Sequence, residues 1–284
     1  MSRVKKPKLG QNFLSDIGAA EKIIDALGDI SQKLVVEIGP GQGALTKTLA
    51  KRAGRLIAIE LDRLMATELR YNFSRFPNVE ILEGDVLKID FRTVLHRTIG
   101  PLNDLRPLKP SRASVIGNLP YYITSDILLR LFEFHDQFDA IVIMVQREVA
   151  DRIAAIPGTR DYGMLSATTQ LYCRVDNLFT LPPSAFSPPP KVHSSVLRLT
   201  VRPRFDELKV ETKTFIPFLR AAFAMKRKTL LNNLKPLYLP ALIKSALEQT
   251  GIRPDARAEA MSLEEMSSLF HKLQIATTPN GESH

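Results

Sequence analysis

Leu34-Val35-Val36-Glu37-Ile38-Gly39-Pro40-Gly41-Gln42-Gly43 is the stretch that places this chain in a fold class. The first five residues are mostly apolar and β-branched, the composition of a buried strand. Three glycines in the next five mark a sharp turn, and residues 44–52 read as a helix. Strand, glycine-rich turn and helix in that order let a ligand approach the backbone, where the first N–H groups of the helix lack partners. The alternation continues outward. Arg55–Glu60 reads as a second strand, and Asp62 is placed to cap a helix reaching about Asn72. Residues 79–82, 113–116 and 140–145 read as a third, fourth and fifth strand. Such runs separated by helices predict an α/β fold whose mainly parallel sheet is covered on both faces. Ligands are then expected beyond the carboxyl ends of the strands.

The rest of the chain bounds the class. Its 284 residues suffice for one large and one small domain. Hydrophobic residues make up 44% and mean hydropathy is -0.05, as in an ordinary globular protein. No apolar run approaches the roughly 20 residues of a membrane span, and the basic N-terminus lacks the apolar stretch of a secretory signal. A single cysteine, Cys173, excludes an internal disulfide framework and reads as a buried thiol. A cytoplasmic protein is expected. The net charge of +9 and pI near 9.6 favour polyanionic partners without naming one. Residues 96–112, rich in proline and basic residues, read as a surface loop. Leu181-Pro182-Pro183-Ser184-Ala185-Phe186-Ser187-Pro188-Pro189-Pro190-Lys191 is a second proline-dense stretch before a last strand over 192–201. After Pro203 the spacing turns helical over 212–224, 228–234, 240–249 and 258–273. The expected domains are therefore 1–203, a small all-helical domain at 204–275, and a tail at 276–284.

The strand ends carry the chemistry. Gly39 and Gly41 shape the turn, and Glu60, at the end of the second strand, can accept hydrogen bonds from ribose hydroxyls. Gly39-x-Gly41-x-x-Ala44 also satisfies the dinucleotide fingerprint, so these features alone do not separate a nicotinamide cofactor from S-adenosylmethionine. Gly84-Asp85-Val86, after the third strand, offers a carboxylate to an adenine amine and an apolar side chain to the ring. Asn118-Leu119-Pro120-Tyr121, after the fourth, is the most specific stretch. An adenine amine is a poor nucleophile because its lone pair is delocalised into the ring. Two acceptors, the Asn118 side-chain oxygen and the Leu119 carbonyl, can hold that nitrogen for in-line attack on a methyl group. Pro120 stiffens the turn and Tyr121 offers a stacking face. No strong general base is required. The five histidines, His96, His135, His193, His271 and His284, have no metal-ligand spacing, and no metal is expected.

With these residues in view, the chain resembles the ribosomal RNA adenine dimethyltransferase family of the bacterial small-subunit type. The likeness runs from about Leu9 to Leu273. It includes Leu9-Gly10-Gln11-Asn12-Phe13-Leu14, Ile59-Glu60-Leu61-Asp62, Gly117-Asn118-Leu119-Pro120-Tyr121, Gln146-Arg147-Glu148-Val149 and Ser184 through Val192. The resemblance implies a Rossmann-like methyltransferase fold with a seven-stranded mixed sheet. It implies that Asn12 and Leu14 close over S-adenosylmethionine together with Gly39, Glu60, Asp85 and Asn118, the product being S-adenosylhomocysteine. By the residues alone, the stretch from Gln11 to Leu14 reads only as the approach to a helix begun by Ser15 or Asp16. The family likeness also implies that Phe186 sandwiches a flipped adenine opposite Tyr121. Lys226, Arg227 and Lys228, with Arg3, Lys5, Lys6 and Lys8, would then contact RNA phosphates; without it, charge runs read as solvated faces. The implied substrate is a pair of adjacent adenosines near the 3′ end of 16S RNA in the small ribosomal subunit. A monomer with no membrane partner is expected.

Other readings compete. A related class methylates one adenosine of large-subunit RNA and confers macrolide resistance; Leu119 and Ser187-Pro188-Pro189-Pro190-Lys191-Val192 favour the small-subunit type. A ribosome-assembly checkpoint suits the charge and the helical domain equally well. A mitochondrial transcription factor of the same descent is disfavoured by the short stretch ahead of Gln11. A nicotinamide oxidoreductase leaves Asn118-Leu119-Pro120-Tyr121 unexplained.

Overall fold

The computed structural model describes residues 12–99 and 112–277, with the side chains of 97–99, Tyr121, 276 and 277 excepted. The basic residues Arg3, Lys5, Lys6 and Lys8, most of the 96–112 stretch and residues 278–284 lie outside the described residues. The chain divides into two compact units, 1–150 with 176–201, and 151–175 with 202–284.

The first unit is built on a seven-stranded sheet. Its strands are β2 (Leu34–Ile38), β3 (Arg55–Glu60), β4 (Val79–Glu83), β5 (Ala113–Asn118), β6 (Phe138–Gln146), β7 (Cys173–Leu181) and β9 (Ser194–Val201), in the order β4-β3-β2-β5-β6-β9-β7. β2 to β6 run parallel, and β9 returns antiparallel to β6. All residues of β2 and β3 are buried, as expected for parallel strands covered on both faces. The covering helices are α1 (Ile17–Asp25), α2 (Thr46–Arg52), α3 (Arg63–Asn72), α4 (Phe91–Ile99) and α5 (Thr124–Glu133). Asp62 caps α3 by accepting from the Leu64 and Met65 amides at 2.8 and 3.3 Å. Asp16 rather than Ser15 caps α1, accepting from the Ala19 amide at 3.0 Å; the Ser15 hydroxyl donates to the Ala185 carbonyl instead.

Three expectations about this unit change. α4 extends to Ile99, so residues 96–99 are helical rather than loop. The helix after the glycines begins at Thr46, not Ala44, because Gly43 closes a turn onto the Pro40 carbonyl at 2.8 Å. The stretch from Gln11 to Leu14 is not merely a helix approach. Phe13–Leu14 forms a short strand, β1, antiparallel to β8 (Phe186–Ser187) in the proline-dense loop.

The second unit gathers α8 (Phe205–Leu208), α9 (Thr212–Ala222), α10 (Leu230–Leu234), α11 (Pro240–Gln249) and α12 (Leu263–Thr277). Phe215, Phe218 and Phe270 form its aromatic centre, with ring centroids 5.2–5.8 Å apart. Residues 151–175, placed by the sequence with the sheet domain, belong to this unit instead. They carry α7 (Met164–Tyr172) and the end of α6 (Arg147–Ala154). Buried Tyr162 meets Phe223 edge to face at 6.0 Å, and the Gly158 amide donates to the Glu259 carbonyl at 2.8 Å. The apolar pattern of a helix shows that it buries a face, but not which core receives it.

Candidate active site

The parallel registers bring the informative strand ends to one edge. Ile38 pairs with Ile59 and with Gly117, Glu60 with Glu83, and Asn118 with Met144. Along that edge lies a cleft of about 440 Å³. Of the residues named above, Asn12, Gly39, Gly41, Glu60, Asp85, Val86, Asn118, Leu119 and Pro120 line it; so do Phe13, Ile38, Tyr122, Ile123 and Ile127, which the sequence did not single out.

The glycine loop is held by Glu60. Its carboxylate, only 3% exposed, accepts from the Gly41 amide at 3.1 Å through Oε2 and from the Asp62 amide at 2.9 Å through Oε1. Each oxygen keeps a further lone pair for a hydroxyl donor. Gly41 has φ +56°, and a Cβ there would lie 2.8 Å from Cε1 of Phe13. Glycine is thus required both by the backbone and by the ring against it. Asp85 accepts from the Leu87 amide at 3.0 Å through Oδ1, while Oδ2 lies 3.9 Å from Lys88 Nζ.

Asn118 ends β5 with its amide oriented. Nδ2 donates to the Asn12 carbonyl at 3.0 Å, which leaves Oδ1 as the acceptor end of the group. The Leu119 amide donates to Met144 O at 3.1 Å, and Pro120 O accepts from the Ile123 amide and the Thr124 hydroxyl at 3.2 and 3.1 Å. Tyr121 opens this short turn; its side chain lies outside what is described. Tyr122, 66% exposed, lines the cleft.

Two expected site residues sit elsewhere. Leu14 and Phe186 do not line the cleft; they are 6% and 3% exposed and belong to the core cluster that includes Ile23, Val142 and Met144. Pairing of β1 with β8 sets Leu14 opposite Phe186. Burial outweighs solvent contact for a leucine and a phenylalanine that meet across such a pair.

Glu37 carried no assigned role in the sequence, yet it is buried directly before the glycine loop. Its Oε2 accepts from the Thr46 hydroxyl at 2.7 Å. Burial pushes its carboxyl up to about 8, aided by the nearby Glu60 charge and opposed by the Thr46 hydrogen bond. An acid raised in the fold binds a proton that the unfolded chain releases above its usual value of 4.5. Its contribution to stability is therefore full below that value and is lost as pH rises toward 8. Glu37→Gln, which keeps an acceptor for Thr46, is expected to flatten the decline of Tm between pH 5 and pH 8 measured by calorimetry. An unchanged slope in the variant would show that Glu37 does not titrate in this range.

Lys226, Arg227 and Lys228 are exposed in the second unit, in the turn between α9 and α10. Lys226 Nζ donates to the Arg160 carbonyl at 2.8 Å, so this lysine also ties down the 151–175 segment. No group of three or more His, Cys, Asp or Glu side chains suited to a metal occurs among the described residues. His135 Nδ1 contacts Phe132 O locally at the end of α5, and His271 Nε2 of α12 contacts Leu208 O of α8. Burial pushes the Cys173 thiol up to about 12, which makes it inert at neutral pH. No helix among the described residues is long and apolar enough to cross a membrane.

The cleft suits a ligand carrying ribose and adenine. Glu60 offers spare lone pairs, Asp85 an acceptor, Val86 and Ile38 apolar walls, and Gly39 and Gly41 a bare backbone. A family model for ribosomal RNA adenine dimethylase matches residues 2–274. The chain is 59% identical over 270 residues to ribosomal RNA small subunit methyltransferase A of Koribacter versatilis, covering 95% of each. It is 51% identical to the protein of that name from Acidobacterium capsulatum, covering 95% of this chain and 91% of the relative. A dimethyladenosine transferase from Plasmodium falciparum superposes with a TM-score of 0.73 at 25% identity, covering 93% of this chain and 98% of the other. The 23S rRNA methyltransferase ErmE gives 0.66 at 25% identity, covering 93% and 100%.

Proposed function

The chain belongs to the ribosomal RNA adenine dimethylase family, and from that premise we propose that it dimethylates two adjacent adenosines near the 3′ end of 16S RNA in the small ribosomal subunit. As an enzyme it is an S-adenosylmethionine-dependent methyltransferase, which removes the nicotinamide alternative. The observation that carries the chemistry is the bond from Asn118 Nδ2 to the Asn12 carbonyl. It fixes the amide so that its oxygen is the end left to accept from a substrate.

When bound, the cofactor supplies a methyl group on an electrophilic sulfonium. Glu60 accepts from ribose hydroxyls, and Asp85 from the amine of the cofactor's adenine. Asn118 Oδ1 and the Leu119 carbonyl accept the two N–H bonds of the target amine and turn its lone pair out of the ring plane. These acceptors stabilise the positive charge that grows on nitrogen, so the proton can leave to solvent without a dedicated base. Pro120 fixes the turn, and a tyrosine beside it stacks on the base. Buried Phe186 acts here through β1, as the pairing partner of Leu14 in the segment that carries Asn12. Lys226, Arg227 and Lys228 contact RNA phosphates, and the protein works as a cytoplasmic monomer in small-subunit maturation.

A second reading, one adenosine of large-subunit RNA, draws support from the likeness to ErmE. The small-subunit reading rests on the closer likeness to the two bacterial relatives over nearly their whole lengths. Incubating each purified subunit with methyl-labelled cofactor tests the choice. Label is expected in the 3′-terminal fragment of 16S RNA, with two dimethylated adenosines per subunit. Label in large-subunit RNA alone would sink the proposal.

A further inference from the structure

The sheet order sets out the strand ends in sequence along the reactive edge. From β4 through β3 and β2 to β5, Asp85, Glu60, Gly39 and Asn118 stand at or just after these ends. The next two ends along that edge are Gln146 of β6 and Ser194 of β9, which pair with each other. Asn118 pairs with Met144, so Gln146 lies two residues further along the neighbouring strand, about 4.8 Å away laterally. Just beyond that pair is a second groove of about 330 Å³, formed by Gln146, Arg147, Glu148, Lys191, Val192 and His193.

This groove is built from the two sequence stretches that the cofactor cleft leaves unused, Gln146-Arg147-Glu148-Val149 and the end of the proline-dense loop. The Arg147 amide donates to the His193 carbonyl at 3.0 Å, clamping one stretch to the other. Three prolines, Pro188 to Pro190, limit the backbone angles leading to Lys191. The Arg147, Lys191 and His193 side chains are exposed. Glu148 is the one carboxylate, set against two permanent cations, and Val192 is the only apolar side chain. With two cations to one carboxylate, these side chains suit an anion.

The order of the strand ends supplies the anion's identity. A base whose amine reaches Asn118 must be turned out of its stack, and the phosphates on either side of it then have to be held nearby. On one side of Asn118 lies the cofactor cleft; on the other, one strand along, lies this groove. We propose that Arg147, Lys191 and His193 form a seat for the RNA backbone phosphate flanking the target adenosine. The seat sets the register that determines which adenosine meets Asn118. The inference rests on the reading of Asn118 as the amine's acceptor.

The test uses the full chain and small ribosomal subunits, with Lys191→Glu, Lys191→Gln and Lys191→Arg. For Lys191→Gln the slope of log Kd against log salt is expected to fall by about one. KM for subunits is expected to rise about tenfold, the change falling on KM rather than kcat, with Lys191→Glu worse and Lys191→Arg restored. The methyl distribution between the two adenosines should shift in the same variants. Calorimetry with S-adenosylhomocysteine should give one affinity for all four proteins, which separates a lost seat from a misfolded site. An unchanged slope and KM in Lys191→Glu would overturn the proposal. So would an equal loss of affinity for a duplex RNA lacking the target, since general attraction would then account for it. If the unaltered protein methylates neither subunit, the functional reading fails instead, and the two failures are distinguishable.

Discussion

Asn118→Ala is expected to lower single-turnover methyl transfer by about 10²–10³-fold, the loss typical when one oriented hydrogen-bonding group is removed from the reacting atom. The side chain has two tasks in one amide. On the proposed function its oxygen accepts from the target amine, while its nitrogen holds the Asn12 carbonyl at 3.0 Å. Alanine removes both, so S-adenosylhomocysteine affinity should also weaken by a few-fold, because Asn12 lines the same cleft. Asn118→Asp separates the two tasks. It keeps acceptor oxygens but sets a carboxylate against a carbonyl, which repels the Asn12 segment. Cofactor affinity should therefore suffer more in Asn118→Asp than in Asn118→Ala, as read by calorimetry. Retention of more than a tenth of the activity in Asn118→Ala would remove this residue from the chemistry. The same variant tests the checkpoint reading, since subunit assembly that survives without methylation would make catalysis secondary.

The second large effect lies one residue earlier. A Cβ on Gly117 would fall 2.6 Å from the Ile38 carbonyl oxygen and 3.3 Å from both Ile38 Cβ and Leu119 Cδ2. Ile38 is the register partner of Gly117 on the adjacent strand and immediately precedes Gly39. The obstacle is therefore backbone, which can yield only by parting β2 from β5. Gly117→Ala is expected to destabilise the protein by about 3 kcal/mol, the upper range for overpacking. For a chain of this size that corresponds to a Tm lower by roughly 6–12 °C. Cofactor affinity should fall with it, since Gly39 and Asn118 move apart. Gly163→Ala, where an added Cβ meets nothing within 4 Å, is the control and should leave Tm within a degree or two. A Gly117→Ala protein as stable as the control would show that the strands separate without strain.

The strand ends that line the cleft were legible because their signals are local. Glycines next to a strand, an acid at the following strand end and Asp85 after the third all act within a few residues of the turn that positions them. Parallel strands then bring those ends together without further instruction, since every strand in the run points the same way. The turn from Asn118 to Pro120 beside the cleft was legible for the same reason. Glu37 was not: a carboxylate in a strand reads as an ordinary polar position until its neighbours on both sides are known to be buried.

From the sequence came the α/β class and, through family resemblance, the mixed sheet, together with the strand-end residues Gly39, Gly41, Glu60, Asp85 and Asn118 that line the cleft. Packing settled what depends on partners far apart in the chain. It paired Leu14 with Phe186 and buried both, laid Phe13 against Gly41, and tied Asn118 to Asn12 across 106 residues. It gathered residues 151–175 with the helical unit and set the partly exposed strand β7 at the sheet edge. The physical reason is common to all of these. A local pattern encodes which face of a segment seeks burial, whereas the surface that buries it is chosen only when the whole chain competes for the same core.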